Sequence, residues 1–204
     1  MAFTELKAFL PRKIVGNMAI YLIPQTPVFS PDNADETASL KTVAEEEWQN
    51  IARCKTATYE VATQNDEEDS FDAATKTRIR MENASVTARK WTFELERYTV
   101  AFDAMYQGVK NPLSPETLEQ LGAGGEVQIY ASNNPYLPVA LKLVMYDGDG
   151  NELKTMYMYG NVRCDGNQTF DGKIIRPTLT FEVEASPHNT MTTTATFTGQ
   201  TETA

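Results

Sequence analysis

The chain has 204 residues and a formal net charge of −10, with 18 Lys and Arg against 28 Asp and Glu. That length fits one large all-β domain or two small ones and buries enough surface to need neither metal nor disulfide. The acidic balance repels phosphate backbones, which excludes ordinary nucleic-acid binding but not a surface past which DNA slides without sticking.

Residues 1–16 read as an irregular arm; Glu5 and Lys7 interrupt its start, so no signal peptide is expected there. Asn17–Ile23 reads as a first strand, stopped by Pro24, and its apolar run is far too short to span a bilayer. A proline-rich loop follows over 24–36. Leu40, Val43, Ala44, Trp48 and Ile51 recur at helical spacing and predict a helix, with Trp48 alternatively opening the next strand. From Arg53 the chain alternates: Ala57, Tyr59 and Val61 on one side, Thr56, Thr58 and Glu60 on the other.

Gln64–Thr75 holds five carboxylates (Asp66, Glu67, Glu68, Asp69, Asp72), no basic residue and one aromatic, Phe71. It reads as an extended loop, with the strands before it and over Lys76–Ala88 forming one long hairpin. Twelve residues is long for a hairpin loop, and loops of that length tend to be disordered or to have a function. Asp66, Glu67, Glu68, Asp69, Phe71 and Asp72 are therefore expected to form an assembly element. Arg12 and Lys13, or Arg78 and Arg80, are the candidate counter-charges.

Trp91, Phe93 and Leu95 alternate with Thr92, Glu94 and Glu96, which predicts a strand with an apolar inner face. A short helix is expected over Thr99–Gln107. A second follows Ser114-Pro115-Glu116, whose N-cap, first-turn proline and acid suit a helix start, and ends at Gly122. Strands are then expected at Glu126–Ala131, Val139–Tyr146, Leu153–Val162 and Lys173–Ala185, with an edge strand from Met191 through Phe197. Asp147–Asn151 supplies a hairpin turn. The expected architecture is an all-β (β-rich α+β) sandwich or barrel, with one or two short helices at its edge and the long hairpin. It occupies 17–198 as a single domain, between the arm and a tail at 199–204.

Little in the sequence reads as chemistry. The single histidine, His188, lies in a turn with no nucleophile motif nearby. Cys54 and Cys164 lack metal spacing and read as reduced core or interface thiols. Asp147 to Glu152 resembles the opening of a calcium loop without its later glutamate. Gly122–Gly125 lacks the Lys-Ser or Lys-Thr of a phosphate loop. No enzyme, cofactor, metal or membrane binding is expected.

In chain order, the segments EEEWQNIARC, YEVATQNDEEDSFDAATKTRIRM, WTFELERYTVAFDAMYQG and GNVRCDGNQTFDGKIIRPTLTFEVEA resemble the tail tube (major tail) proteins of long-tailed phages, which are related to type VI secretion and tailocin tube proteins. The resemblance covers residues 15–198 and is one of layout rather than of an invariant motif. It implies homohexameric rings stacked into a virion tube, assembled in the bacterial cytoplasm. Such a tube has tape-measure, terminator and baseplate partners, and DNA passes through its lumen without specific binding. A lumen wall should be small, polar or acidic, so Glu60, Glu94, Glu96, Glu182 and Glu184 are the candidate lumen-facing residues; each Thr/Glu face reads equally as an ordinary solvent face. The alternatives are another virion sandwich (a tail terminator or capsid decoration protein) or a carbohydrate- or cell-surface-binding module. The last would need Trp91, Tyr136 and Tyr157 to cluster on one surface.

Overall fold

A computed structural model describes residues 17–33, 35, 39–72, 77–130, 136–147, 149–165 and 175–193, and for 64–85 and 165 their backbone alone. Seven strands are arranged in one sheet: β1 (Met18–Pro24), β2 (Gln49–Asp72), β3 (Thr77–Leu95), β4 (Leu137–Tyr146), β5 (Glu152–Asp165), β6 (Thr178–Val183) and β7 (Thr190–Thr193). Neighbours pair in the order β4-β1-β2-β3-β6-β5, and the β4–β5 pairing closes these six into a barrel. A single closed sheet therefore replaces the sandwich alternative. Closure leaves the barrel body without free edges.

The strong tilt shows in the registers. From Cys54, the route through Met18 and Met145 meets β5 at Lys154, whereas from Thr56 the route through Glu94 and Thr178 meets it at Asp165. The two routes thus reach opposite ends of β5, which is the stagger that barrel closure requires.

Period-two alternation fills the interior. Trp91, Phe93 and Leu95 face Leu179 and Phe181 in one apolar cluster, with Ile20, Leu22, Leu141, Leu143 and Met158, and Val183 packs against it. The inner face expected for β3 is the one observed, and Leu179 and Phe181 supply its counterpart on β6. Gly160 is required by its position: a Cβ there would collide with the Glu182 carbonyl oxygen and would lie 2.7 Å from the Phe181 ring.

The helix expected over 40–51 is instead two single 3₁₀ turns, Leu40–Thr42 and Glu45–Glu47, and Gln49 already opens β2. The helical spacing was produced by tertiary packing. Leu40, Val43 and Trp48 cover the outer face of the barrel at Ile23, Ala140 and Tyr159, while Ile51 turns into the interior. The Lys142 ammonium, on this outer face, meets the Glu45 carboxylate at 2.5 Å and lies over the Tyr21 ring.

The two expected helices are present as α1 (Val100–Tyr106) and α2 (Pro115–Gly122). The Thr99 hydroxyl accepts from the Phe102 N–H at the start of α1 and donates to the Ile51 carbonyl, which docks the helix onto β2. Phe102 thereby enters the barrel cluster, fully buried. Ser114 caps α2 with Pro115 in the first turn, as the sequence predicts. The strand expected at 126–131 reduces to one bridge, Val109 to Ile129. β7 continues along the β5 edge where β6 leaves it, and Asn189 spans the gap by accepting from the Tyr159 N–H at 2.8 Å.

Candidate assembly interface

β2 and β3 outrun the barrel. β1 pairs with β2 only from Gln49 to Cys54, and β6 pairs with β3 only from Lys90 to Glu94. Beyond those limits, among the described residues, the two strands pair with each other alone, through Phe71↔Arg78 and Asp72↔Thr77. The segment expected as a twelve-residue loop is thus strand through Asp72, and its last residues, 73–75, lie outside the described residues. Acidic and amide residues are poor strand formers, which is why 64–72 read as loop. The register sets basic Arg80 opposite Asp69 but also Glu67 opposite Glu82, so cross-strand charge pairing alone does not account for the strand. Asp66, Glu67, Glu68, Asp69, Phe71 and Asp72 all belong to β2, and their side chains lie outside the described residues. So does Arg12 and Lys13, the other expected counter-charges.

The ribbon is set off by irregularities. The registers skip Lys55 in β2 and Thr87 in β3, and the Thr87 hydroxyl donates to the Ala62 carbonyl at 3.3 Å. Such bulges bend a strand and strengthen its twist. The apolar inner stripe continues out of the barrel regardless: Tyr59, Val61 and Val86 are 46%, 44% and 51% exposed. Tyr59 lies over Trp91, ring centroids 4.8 Å apart, and the buried Trp91 indole N–H has no acceptor among the described residues. A two-stranded ribbon with open edges and an uncovered apolar stripe is marginal in water and is a template for association.

A second surface lies on the outside of β2, β3, β6 and β5. Cross-strand rows run Glu60, Lys90, Glu182, Asn161, then Thr58, Thr92, Thr180, Arg163, then Thr56, Glu94, Thr178. Glu60, Glu94 and Glu182 therefore share one polar face. Lys90 pairs with Glu60 at 3.1 Å, and the Arg163 guanidinium donates to the Tyr136 hydroxyl at 3.0 Å. The other two candidates differ. Glu184 accepts from the Asn161 and Gln25 amides, and Glu96 follows the end of β3, its N–H bonded to the Arg53 carbonyl.

The remaining chemical candidates are occupied by structural tasks. The Asp147 carboxylate accepts from the Asn151 side chain and from the Asn151 and Asp149 N–H groups, which holds its pKa below the usual range and closes the hairpin turn. The His188 Nε2 lies 2.7 Å from the Asn33 carbonyl oxygen. Cys54 is buried, and desolvation pushes its thiol up to about 11, away from nucleophilic reactivity. No group of three metal-ligating side chains occurs among the described residues. Trp91, Tyr136 and Tyr157 do not form one aromatic surface: Trp91 faces the barrel interior, Tyr136 packs on Arg163, and Tyr157 packs on Trp48.

No family model and no curated protein matches the chain. The chain is similar to solved structures that include a chain of the anti-feeding prophage (AFP) baseplate, 7% identical over 90% of this chain and 97% of that one, with a TM-score of 0.35. Hcp1 from Salmonella typhimurium is 13% identical over 84% and 83%, with a TM-score of 0.28. An Hcp protein is 11% identical over 84% and 88%, with a TM-score of 0.30.

Proposed function

We propose that this chain is a structural subunit of a phage tail tube, assembling with itself into stacked hexameric rings and performing no catalysis. The observation that carries the reading is the β2–β3 ribbon, two strands that leave a closed barrel with neither edge paired among the described residues and with Tyr59, Val61 and Val86 exposed. An edge of that length invites pairing, and in a soluble protein it is normally blunted or covered. Covering it with further copies, in rings that close by rotation, satisfies it. The sequence resemblance to tail tube proteins supplies the ring, the tube and the tape-measure, terminator and baseplate partners.

The face carrying Glu60, Glu94 and Glu182 among threonines is the wall assigned to the lumen. Threonines and carboxylates make up most of that face, and its two cations, Lys90 and Arg163, are engaged by Glu60 and Tyr136, so phosphates find little to hold and DNA passes with little adhesion. Negative-stain electron microscopy of the purified protein tests the proposal: rings or hollow tubes are expected, and particles that stay monomeric at high concentration would overturn it. Glu94→Lys with Glu182→Lys should leave tubes intact and slow genome ejection; unchanged ejection would remove the lumen assignment.

A further inference from the structure

β3 enters the barrel from the ribbon and leaves it at Leu95, immediately before α1. Ribbon and α1 therefore lie beyond opposite ends of the same strand. At the α1 end, a cavity of about 720 Å³ opens between the residues following α1 and the barrel ends at Leu137 and Val162. Tyr106, Tyr130 and Tyr136 line it, and among the described residues Lys110 is its only charged lining residue. Tyr130 is 65% exposed, and Arg163, bonded to Tyr136, adds a second cation at the rim. A site of this size and composition suits an apolar side chain flanked by carboxylates.

This chain carries such a segment. Phe71 lies between Asp69 and Asp72, close to the end of the ribbon. From Glu60 to Asp72 the ribbon reaches about 40 Å at ~3.4 Å per residue, on the order of the width of a domain this size. We propose that Phe71 of one copy seats in the tyrosine-lined cavity at the α1 end of a second copy, with Asp69, two positions away on the same strand face, towards Lys110. The inference rests on the assembly reading above and adds its docking partners. Because ribbon and cavity lie at opposite ends, the contact is heterologous and leaves a free ribbon and a free cavity at the ends of every stack, so it propagates.

Cys164 lines the same cavity and provides the test. Full-length Phe71→Cys protein, mildly oxidised, should give a ladder of disulfide-linked multimers on a non-reducing gel. Peptide mapping should join position 71 of one copy to Cys164 of another, and adding Cys164→Ser should abolish that link. Links only between two copies of position 71, or no links, would overturn the docking. Separately, Tyr130→Ala and Lys110→Glu should each raise the concentration at which tubes appear about tenfold, the scale of a hot-spot residue, without moving the melting temperature. Wild-type tubes with unchanged thresholds in both variants would remove the docking and leave the tube reading standing. Wild-type protein that forms no tubes, alongside oxidised Phe71→Cys protein that still shows the 71–164 link, would do the reverse.

Discussion

Strands β2 and β3 each pass through two environments. Inside the barrel, Phe93 and Leu95 are fully buried and hydrogen-bonded neighbours lie on both sides of β3. A few residues outward the same alternation continues, yet Tyr59, Val61 and Val86 stand about half in water and each strand has one neighbour. The backbone conformation is the same in both regions, but the source of stability is not. Barrel residues are held by burial within the chain, whereas ribbon residues have only each other until something covers them. Two salt bridges among the described residues repeat the contrast: the Lys142 side chain beside Glu45 is 9% exposed, whereas that of Lys90 beside Glu60 is 39% exposed.

If that division is right, the largest effect on stability comes from inside. Phe93→Ala should cost ~3–5 kcal/mol in chemical denaturation, from lost transfer energy and the cavity left behind. A loss under ~1 kcal/mol would mean the barrel is not the main core.

Alkaline pH should come next. The Cys54 thiol, ordinarily near 9.0, is held up to about 11 by burial. Above pH 9 the unfolded chain releases this proton while the folded chain keeps it, so stability is full below that pH and falls as pH rises from 9 to 11. Tyr159, raised from 10.0 to about 12 by desolvation, extends the decline upward. Urea midpoints at pH 8 and pH 11 measure the drop, and Cys54→Ala should flatten its first part. A midpoint independent of pH over that range would contradict the burial of both groups.

The ion pairs give a smaller contrast. Glu45→Gln strands a buried ammonium and should cost ~1–2 kcal/mol, less than breaking a fully buried pair because Glu45 itself is exposed. Glu60→Gln, at the ribbon base, should cost under ~0.5 kcal/mol. Equal costs in thermal melts would erase the distinction.

The smallest effect on stability belongs to the ribbon. Replacing 64–85 by a two-residue Asn-Gly turn should leave the melting temperature of the isolated subunit within a few degrees, because no barrel residue is removed. Assembly should be lost in the same protein. Normal tubes from the shortened chain would show that the ribbon is only a solvated projection.

The sequence by itself determined whatever rests on local periodicity and turn chemistry. The inner faces of β3 and β6, the Asp147–Asn151 turn and the Ser114-Pro115 helix start were legible because each depends on residues a few positions apart. The helix expected over 40–51 failed for the opposite reason: its apolar residues are spaced by the barrel wall they cover, not by a helical turn. The acidic segment at 64–72 failed because β propensity was overridden by a partner strand, whose register no single segment encodes. Among the candidate glutamates, alternation put Glu60, Glu94 and Glu182 on the outer face, but only the cross-strand registers set Glu60 and Glu182 on either side of Lys90, with Glu94 two rows away. The same registers tie Glu184 to Asn161 and Gln25 through its position at the β5–β6 junction. Barrel closure was likewise decided in three dimensions, since it depends on β1 pairing with β4 and β3 with β6, strands far apart in the chain, at a stagger shared by all six.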